Sequence, residues 1–239
     1  MTSRHPLVPV ARRLGERLQP LHWHTPSHVY NPLLYAWDGH RQYLEMAGGE
    51  PGRVLLMGMN PGPWGMAQTG VPFGNISSVR DWFGIDTRLG TPLPEQHPRY
   101  PVLGMQCHRD EGSGQRLWGW AARRFGTPQA FFRRFVIWNY CPLLFLADGR
   151  NMIPSRLSRN ETGPLEAACD AALAEVVDVL QPAAAIGIGR YAQERLRRVV
   201  PDGLSVQYLL HPSPASPAAN RHWVESAEET LAPWLPDAS

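Results

Sequence analysis

Two carboxamides and one imidazole, those of Asn60, Asn139 and His211, each follow a short apolar run of the chain. Val54-Leu-Leu-Met-Gly-Met59 leads into Asn60-Pro-Gly-Pro, Phe135-Val-Ile-Trp138 into Asn139, and Ser205-Val-Gln-Tyr-Leu-Leu210 into His211-Pro-Ser-Pro. A fourth run, Ala183-Ala-Ala-Ile-Gly-Ile-Gly189, ends at Arg190. Runs of this length bounded by Gly and Pro turns read as buried strands. Laid side by side in parallel, they bring the three polar residues to the carboxyl edge of one sheet, where open α/β sheets bind ligands. The crevice contains no obvious acid, metal set or nucleophile. What remains is hydrogen bonding, orientation and charge stabilisation by amides and an imidazole.

The elements that must hold these residues are legible in outline. Tyr30 to Met46 carries apolar residues at helical spacing, and Ala47-Gly-Gly-Glu-Pro-Gly52 breaks the pattern before the first strand. From Asn60 to about Gly114 the chain is rich in Gly and Pro and reads as ordered loops with a short helix near Ile76–Phe83. Loops of that length inside a compact domain are usually functional. Gln115 to Phe125 reads as a helix, as does Pro164 to Leu180, with proline in its first turn. A short basic helix follows from Tyr191 to Val200. Strands alternating with helices predict an α/β fold, a three-layer αβα sandwich with a central four-stranded, mostly parallel sheet. Residues 1–239 are expected to form one domain, with 1–29 as a peripheral N-terminal segment containing a short helix from Val10 to Leu18.

Composition narrows the chemistry. The chain has 239 residues, a hydrophobic content of 43% and a net charge of +2, ordinary for a soluble globular domain. No apolar run approaches the length of a membrane-spanning helix. The first twenty residues carry Arg4, Arg12, Arg13 and Arg17 without a continuous apolar core, so no secretory signal is expected. The expected location is cytoplasmic, with nucleoid association in a bacterial cell. Cys107, Cys141 and Cys169 are odd in number and far apart, which argues against disulfides and against an iron–sulfur site. All 23 basic residues are arginine. With no lysine, Schiff-base chemistry through a lysine amine and a Walker-type phosphate site are both excluded, leaving only the α-amino group as an amine nucleophile.

Longer motifs carry a resemblance. Gly58-Met-Asn-Pro-Gly-Pro-Trp-Gly-Met-Ala-Gln-Thr-Gly-Val-Pro-Phe-Gly74 resembles the active-site segment of the single-strand-selective monofunctional uracil-DNA glycosylases, a group of the uracil-DNA glycosylase superfamily. His211-Pro-Ser-Pro, with Pro217 and Ala219-Asn220, resembles that group's second signature. Asn139-Tyr-Cys-Pro-Leu-Leu-Phe145 matches its base-reading strand end, and Gly149-Arg-Asn151 a loop that touches DNA. The likeness runs in register from about Tyr30 to Trp234.

The resemblance implies a uracil-DNA glycosylase fold and hydrolytic removal of uracil from DNA, leaving an abasic site. Catalysis would rest on Asn60 and His211, and substrate binding on Met59, through its backbone, with Gly62, Met66, Phe73 and Asn139. The chemistry suits those residue types. Breaking the glycosidic bond of uracil leaves an oxocarbenium-like sugar and a uracil anion, so stabilising charge on the base matters more than a strong nucleophile. An imidazole N–H aimed at O2 does this, and such a donor is worth ~3 kcal/mol of barrier. A carboxamide at Asn60 can hold the attacking water. At Asn139 the side-chain oxygen accepts from N3–H and the nitrogen donates to O4, a pattern that cytosine inverts. Phe73 gives the extruded base an aromatic face.

Gly62 and Met66 imply a pocket edge that tolerates C5 substituents such as hydroxymethyl. DNA contacts are expected from Gly149, Arg150, Asn151, Arg156 and Arg159 and from the wedge loop Pro212, Ser213, Pro214, Ala215 and Ser216. Animal members of the family place arginine where this chain has Ala215, so weaker duplex wedging is expected here. The expected partner is uracil-containing DNA, single- or double-stranded, bound by a monomer that needs no metal or cofactor. Rival readings are a relative with activity on deaminated purines, a damaged-DNA-binding protein with weak catalysis, and a nucleosidase acting on free deoxyuridine.

Overall fold

A computed structural model describes residues 5–236; the α-amino group and Arg4 lie outside the described residues. The chain begins α1 (Leu7–Leu18), β1 (His28–Tyr30), α2 (Pro32–Tyr35), α3 (Trp37–Ala47), β2 (Val54–Gly58) and α4 (Met66–Thr69). It continues α5 (Gly112–Phe125), α6 (Pro128–Phe132), β3 (Phe135–Asn139), β4 (Leu144–Ala147) and β5 (Arg150–Met152). It closes with α7 (Arg159–Leu180), β6 (Ala184–Ile188), α8 (Arg190–Val199), β7 (Val206–Leu209) and α9 (Pro217–Leu231).

Four strands make one sheet in the order β3-β2-β6-β7, and every neighbouring pair is parallel. Val54–Gly58, Phe135–Asn139 and Ala184–Ile188 are buried along their whole lengths, as strands covered by helices on both faces must be. The expected αβα sandwich is therefore present. Gly58 lies opposite Asn139, and Ile188 opposite Leu209, so the exits of the strands are level. β3 is an edge strand, and its exposed backbone side is closed by a side chain. The Tyr43 hydroxyl donates to the carbonyl of Ile137 at 2.8 Å and accepts from its N–H at 3.2 Å.

Three features depart from the expected outline. The N-terminal segment is not peripheral: Leu7, Leu14 and Leu18 of α1 are 0–1% exposed. Their spacing gives α1 an apolar face, and it packs on α2 and α7. The long helix begins five residues before Pro164, at Arg159. Ser158 and Glu161 form a reciprocal capping box that nucleates this earlier start. A second, antiparallel sheet, β1-β4-β5, was not anticipated. Its strands are only three or four residues long and carry little periodicity.

The Gly- and Pro-rich stretch after β2 is ordered by one buried side chain. Gln68, fully buried, donates to the carbonyls of Pro63 and Pro101 at 2.8 and 3.0 Å. Its oxygen accepts from the N–H groups of Leu103 and Gly104. All its hydrogen-bonding capacity is spent tying distant parts of the loop together.

Candidate active site

The carboxyl edge of the four-stranded sheet opens into a cavity of about 570 Å³. Met59, Asn60, Gly62, Met66, Phe73, Asn139 and His211 all line it. Every residue expected to catalyse or to bind the base is thus brought together. The strand ladder extends past β2 and β3: Tyr140 donates to the Gly58 carbonyl and Cys141 to that of Met59, both at 2.9 Å. Asn60 is oriented by its amide nitrogen, which donates to the Leu143 carbonyl at 3.3 Å. Its Oδ1 is left as an acceptor.

Asn139 is only 6% exposed, and its Oδ1 has no hydrogen-bond partner. Its Nδ2 lies 3.3 Å from the Met66 sulfur, a weak acceptor. Buried amide oxygens are nearly always paired, so an orphan at the floor of a cavity points to a donor on a ligand. The space around it is fixed by Gly58. A Cβ there would collide with Asn139 Oδ1 and lie 2.7 Å from the Phe73 ring, so only glycine fits.

Phe73 sits in the left-handed backbone region, φ 55°, costly for an aromatic residue. Neighbours hold it there. Asn75 N–H donates to its carbonyl, and the Thr69 hydroxyl donates to the carbonyl of Gly74 at 2.9 Å. The resulting ring faces His211, with centroids 6.0 Å apart.

His211 is in a defined tautomer. The Ser213 N–H donates to Nδ1 at 3.2 Å, so the neutral ring carries its proton on Nε2. Burial lowers its pKa from 6.5 to about 4. At neutral pH it is an uncharged donor in the cavity lining. The strand end that carries it is anchored where the Trp223 indole N–H donates to the Leu210 carbonyl at 2.7 Å.

Behind Asn139 stands a buried polar network. The Tyr140 hydroxyl donates to Asp170 at 2.7 Å, and Arg195 pairs with Asp170 and with Glu166, the latter at 2.9 Å. The guanidinium also lies over the Tyr140 ring, 5.0 Å from its centroid. Burial pushes the Tyr140 hydroxyl far above its ordinary pKa, and Asp170 adds to the shift. The network ties the end of β3 that carries Asn139 to α7 and α8.

The residues expected to touch DNA divide into groups. Asn151, Ser213, Pro214 and Ala215 reach the base cavity. Arg150 and Arg156 do not; they line a neighbouring groove of about 620 Å³ that shares Asn151 and Ile153 with it. Arg159 is exposed at the first turn of α7, and Gly149 offers its carbonyl to the Tyr100 hydroxyl at 2.9 Å. Pro212 is buried, and the Ser216 hydroxyl caps α9 by accepting from Ala219 N–H. Neither lines the cavity.

Sequence reasoning described a crevice without an acid, and here the structure differs. Glu111 lines the cavity, with Asp110 and Trp64 beside it. Glu111 caps α5, its carboxylate accepting from the N–H groups of Ser113 and Gly114. Burial raises its pKa and those hydrogen bonds oppose the rise. The signal was an acid just before a helical stretch, but nothing in the sequence placed that helix end at the sheet edge.

The sequence pattern of the uracil DNA glycosylase superfamily matches residues 47–235. The single-strand selective monofunctional uracil DNA glycosylase of Bos taurus is 46% identical over 225 residues, covering 92% of this chain and 82% of that protein. The Rattus norvegicus protein of the same description is 47% identical and is covered to 80%. In fold, the chain is similar to the crystal structure of Pedobacter heparinus SMUG2, with a TM-score of 0.64 at 15% identity and coverage of 95% and 97% of the two chains. The chain belongs to the uracil-DNA glycosylase superfamily and, within it, to the single-strand-selective monofunctional family.

Proposed function

We propose that this protein excises uracil from DNA by hydrolysis, acting as a monomer and without a metal ion. The observation that carries the reading is the presence, in one cavity, of an orphaned Asn139 oxygen and a His211 ring whose proton is held on Nε2. An extruded uracil fits both: N3–H donates to Asn139 Oδ1, Asn139 Nδ2 donates to O4, and O2 accepts from His211. Phe73 covers the base face. The bond from C1′ to N1 breaks with both electrons going to the base, and charge accumulates at O2, where the imidazole N–H meets it. A water that donates to Asn60 Oδ1 adds its oxygen to C1′ and gives up a proton, which the departed uracil anion takes up through solvent. The product is free uracil and an abasic sugar, with the strand intact.

The DNA strand is read as crossing the rim, with Arg150 and Arg156 on phosphates and Ser213, Pro214 and Ala215 beside the vacated stack. The test is a single-stranded oligonucleotide carrying one uracil, assayed for free base and for strand breaks before and after alkali. Base release with alkali-dependent breakage supports the reading; cleavage without alkali, or no base, contradicts it. Light scattering of the protein–DNA mixture and activity in chelator test the monomer and the metal-free reaction.

A further inference from the structure

We infer that Glu111 determines which C5-substituted uracils the cavity accepts, by taking a hydrogen bond from a hydroxyl on that substituent. The inference rests on the uracil pose described above. In that pose O4 lies at Asn139 Nδ2, and Nδ2 lies 3.3 Å from the Met66 sulfur. C5 is the next ring atom beyond C4, so the C5 edge faces the wall made by Met66 and Gly62, which line the cavity, with Gly65 next to Met66 in the chain.

Glu111 backs that wall. A Cβ on Gly65 would come within 2.8 Å of Glu111 Cγ, and one on Gly62 would lie 3.9 Å from Oε1. Gly65 therefore leaves room for the Glu111 side chain, Gly62 lies at ordinary van der Waals distance from its carboxylate, and Glu111 itself lines the cavity. Its direction is fixed by the N–H groups of Ser113 and Gly114. A carboxylate has about four acceptor positions, so these donors do not exhaust it.

The consequence is chemical discrimination at a point where shape is weak. Thymine and 5-hydroxymethyluracil differ by a single oxygen, and an apolar wall separates such pairs poorly. A carboxylate acceptor separates them well: a hydroxymethyl group fills one of its remaining acceptor positions, whereas a methyl group excludes water and leaves that position empty. Uracil, with hydrogen at C5, leaves room for solvent to hydrate the carboxylate. A formyl group at C5 offers only an acceptor and gains nothing from Glu111.

The experiment compares kcat/KM on single-stranded oligonucleotides carrying uracil, 5-hydroxymethyluracil, 5-formyluracil or 5-ethyluracil. In the wild type, 5-hydroxymethyluracil should exceed its near-isostere 5-ethyluracil by at least about tenfold, the scale of a hydrogen bond to a charged group. Glu111→Ala should lower the ratio of hydroxymethyluracil to uracil about tenfold or more. Glu111→Gln keeps the cap and adds an amide donor, so the ratio of formyluracil to hydroxymethyluracil should rise. Parallel loss on all substrates, with ratios held within about twofold, would overturn the inference and leave Glu111 a helix cap. The wild-type comparison reads the same point without any variant having to fold: equal rates on hydroxymethyl- and ethyluracil overturn it. Uracil release with unmoved ratios defeats this inference alone, whereas no uracil release defeats the proposed function and this with it.

Discussion

The floor of the cavity and its rim are built on opposite principles. At the floor, Asn139 and His211 sit at strand ends, buried and half-buried respectively, uncharged and held by neighbours. The rim is the neighbouring groove, where Arg150 and Arg156 are exposed; they and Arg159, at the start of α7, form no ion pair among the described residues. Some arginines elsewhere are committed to structure: Arg195 is buried and pairs with Asp170 and Glu166, and Arg124 pairs with Glu228. A floor made this way recognises one base by geometry, because its groups cannot reorient cheaply. A rim made of free cations holds any phosphate chain and is weakened by salt. On the proposed reading, selectivity and affinity are separable in this molecule.

The sharpest test of that separation is His211→Leu, expected to slow excision by two to three decades, roughly the worth of one charge-stabilising donor. Its affinity for uracil-bearing DNA, measured by anisotropy, should change little; a parallel loss of binding would blur the distinction between floor and rim. Asn139→Asp should shift the ratio of uracil to cytosine release by about tenfold or more, because the carboxylate cannot donate to O4. Paired substitution of Arg150 and Arg156 by Ala should do the reverse. Binding to single strands should weaken for every sequence, and the slope of log affinity against log salt should flatten by about 1.4, two phosphate contacts at 0.7 each. Ala215→Arg should raise duplex activity several-fold relative to single-strand activity by filling the stack; an unchanged ratio would remove the wedge role from that loop.

The smallest effect is in pH. With a pKa near 4, His211 is neutral throughout the ordinary range, so the excision rate should show no inflection at 6.5. An inflection there would mean that the imidazole titrates freely. The stability linked to this depressed pKa is complete above 6.5 and is lost as pH falls towards 4, because the unfolded chain then binds the proton first. His40, fully buried with a pKa also lowered to about 4, adds to the same loss. Thermal melts between those limits measure it.

The floor was legible in sequence because its residues follow apolar runs whose pairing is dictated by burial. Asn60, Asn139 and His211 needed only parallel strands in level register to meet. The rim was less legible, since Pro212 and Ser216 belong to the wedge segment by sequence and to packing and capping by structure. α1 was misjudged although its apolar spacing was visible, because nothing local says which surface an amphipathic helix will cover. Glu111 was missed for a related reason: a cap residue near a helix start is common, and its place beside Gly62 and Gly65 depends on contacts far apart in the chain.

Phe73 holds a backbone conformation that costs an aromatic side chain about 1–3 kcal/mol. Glycine or asparagine would sit there at ease, so a tougher molecule is one codon change or a few away. That molecule would have lost the surface proposed to cover the base. Selection for heat resistance alone, imposed on a library of this gene, should therefore drift at position 73 early and return proteins that melt later and repair less.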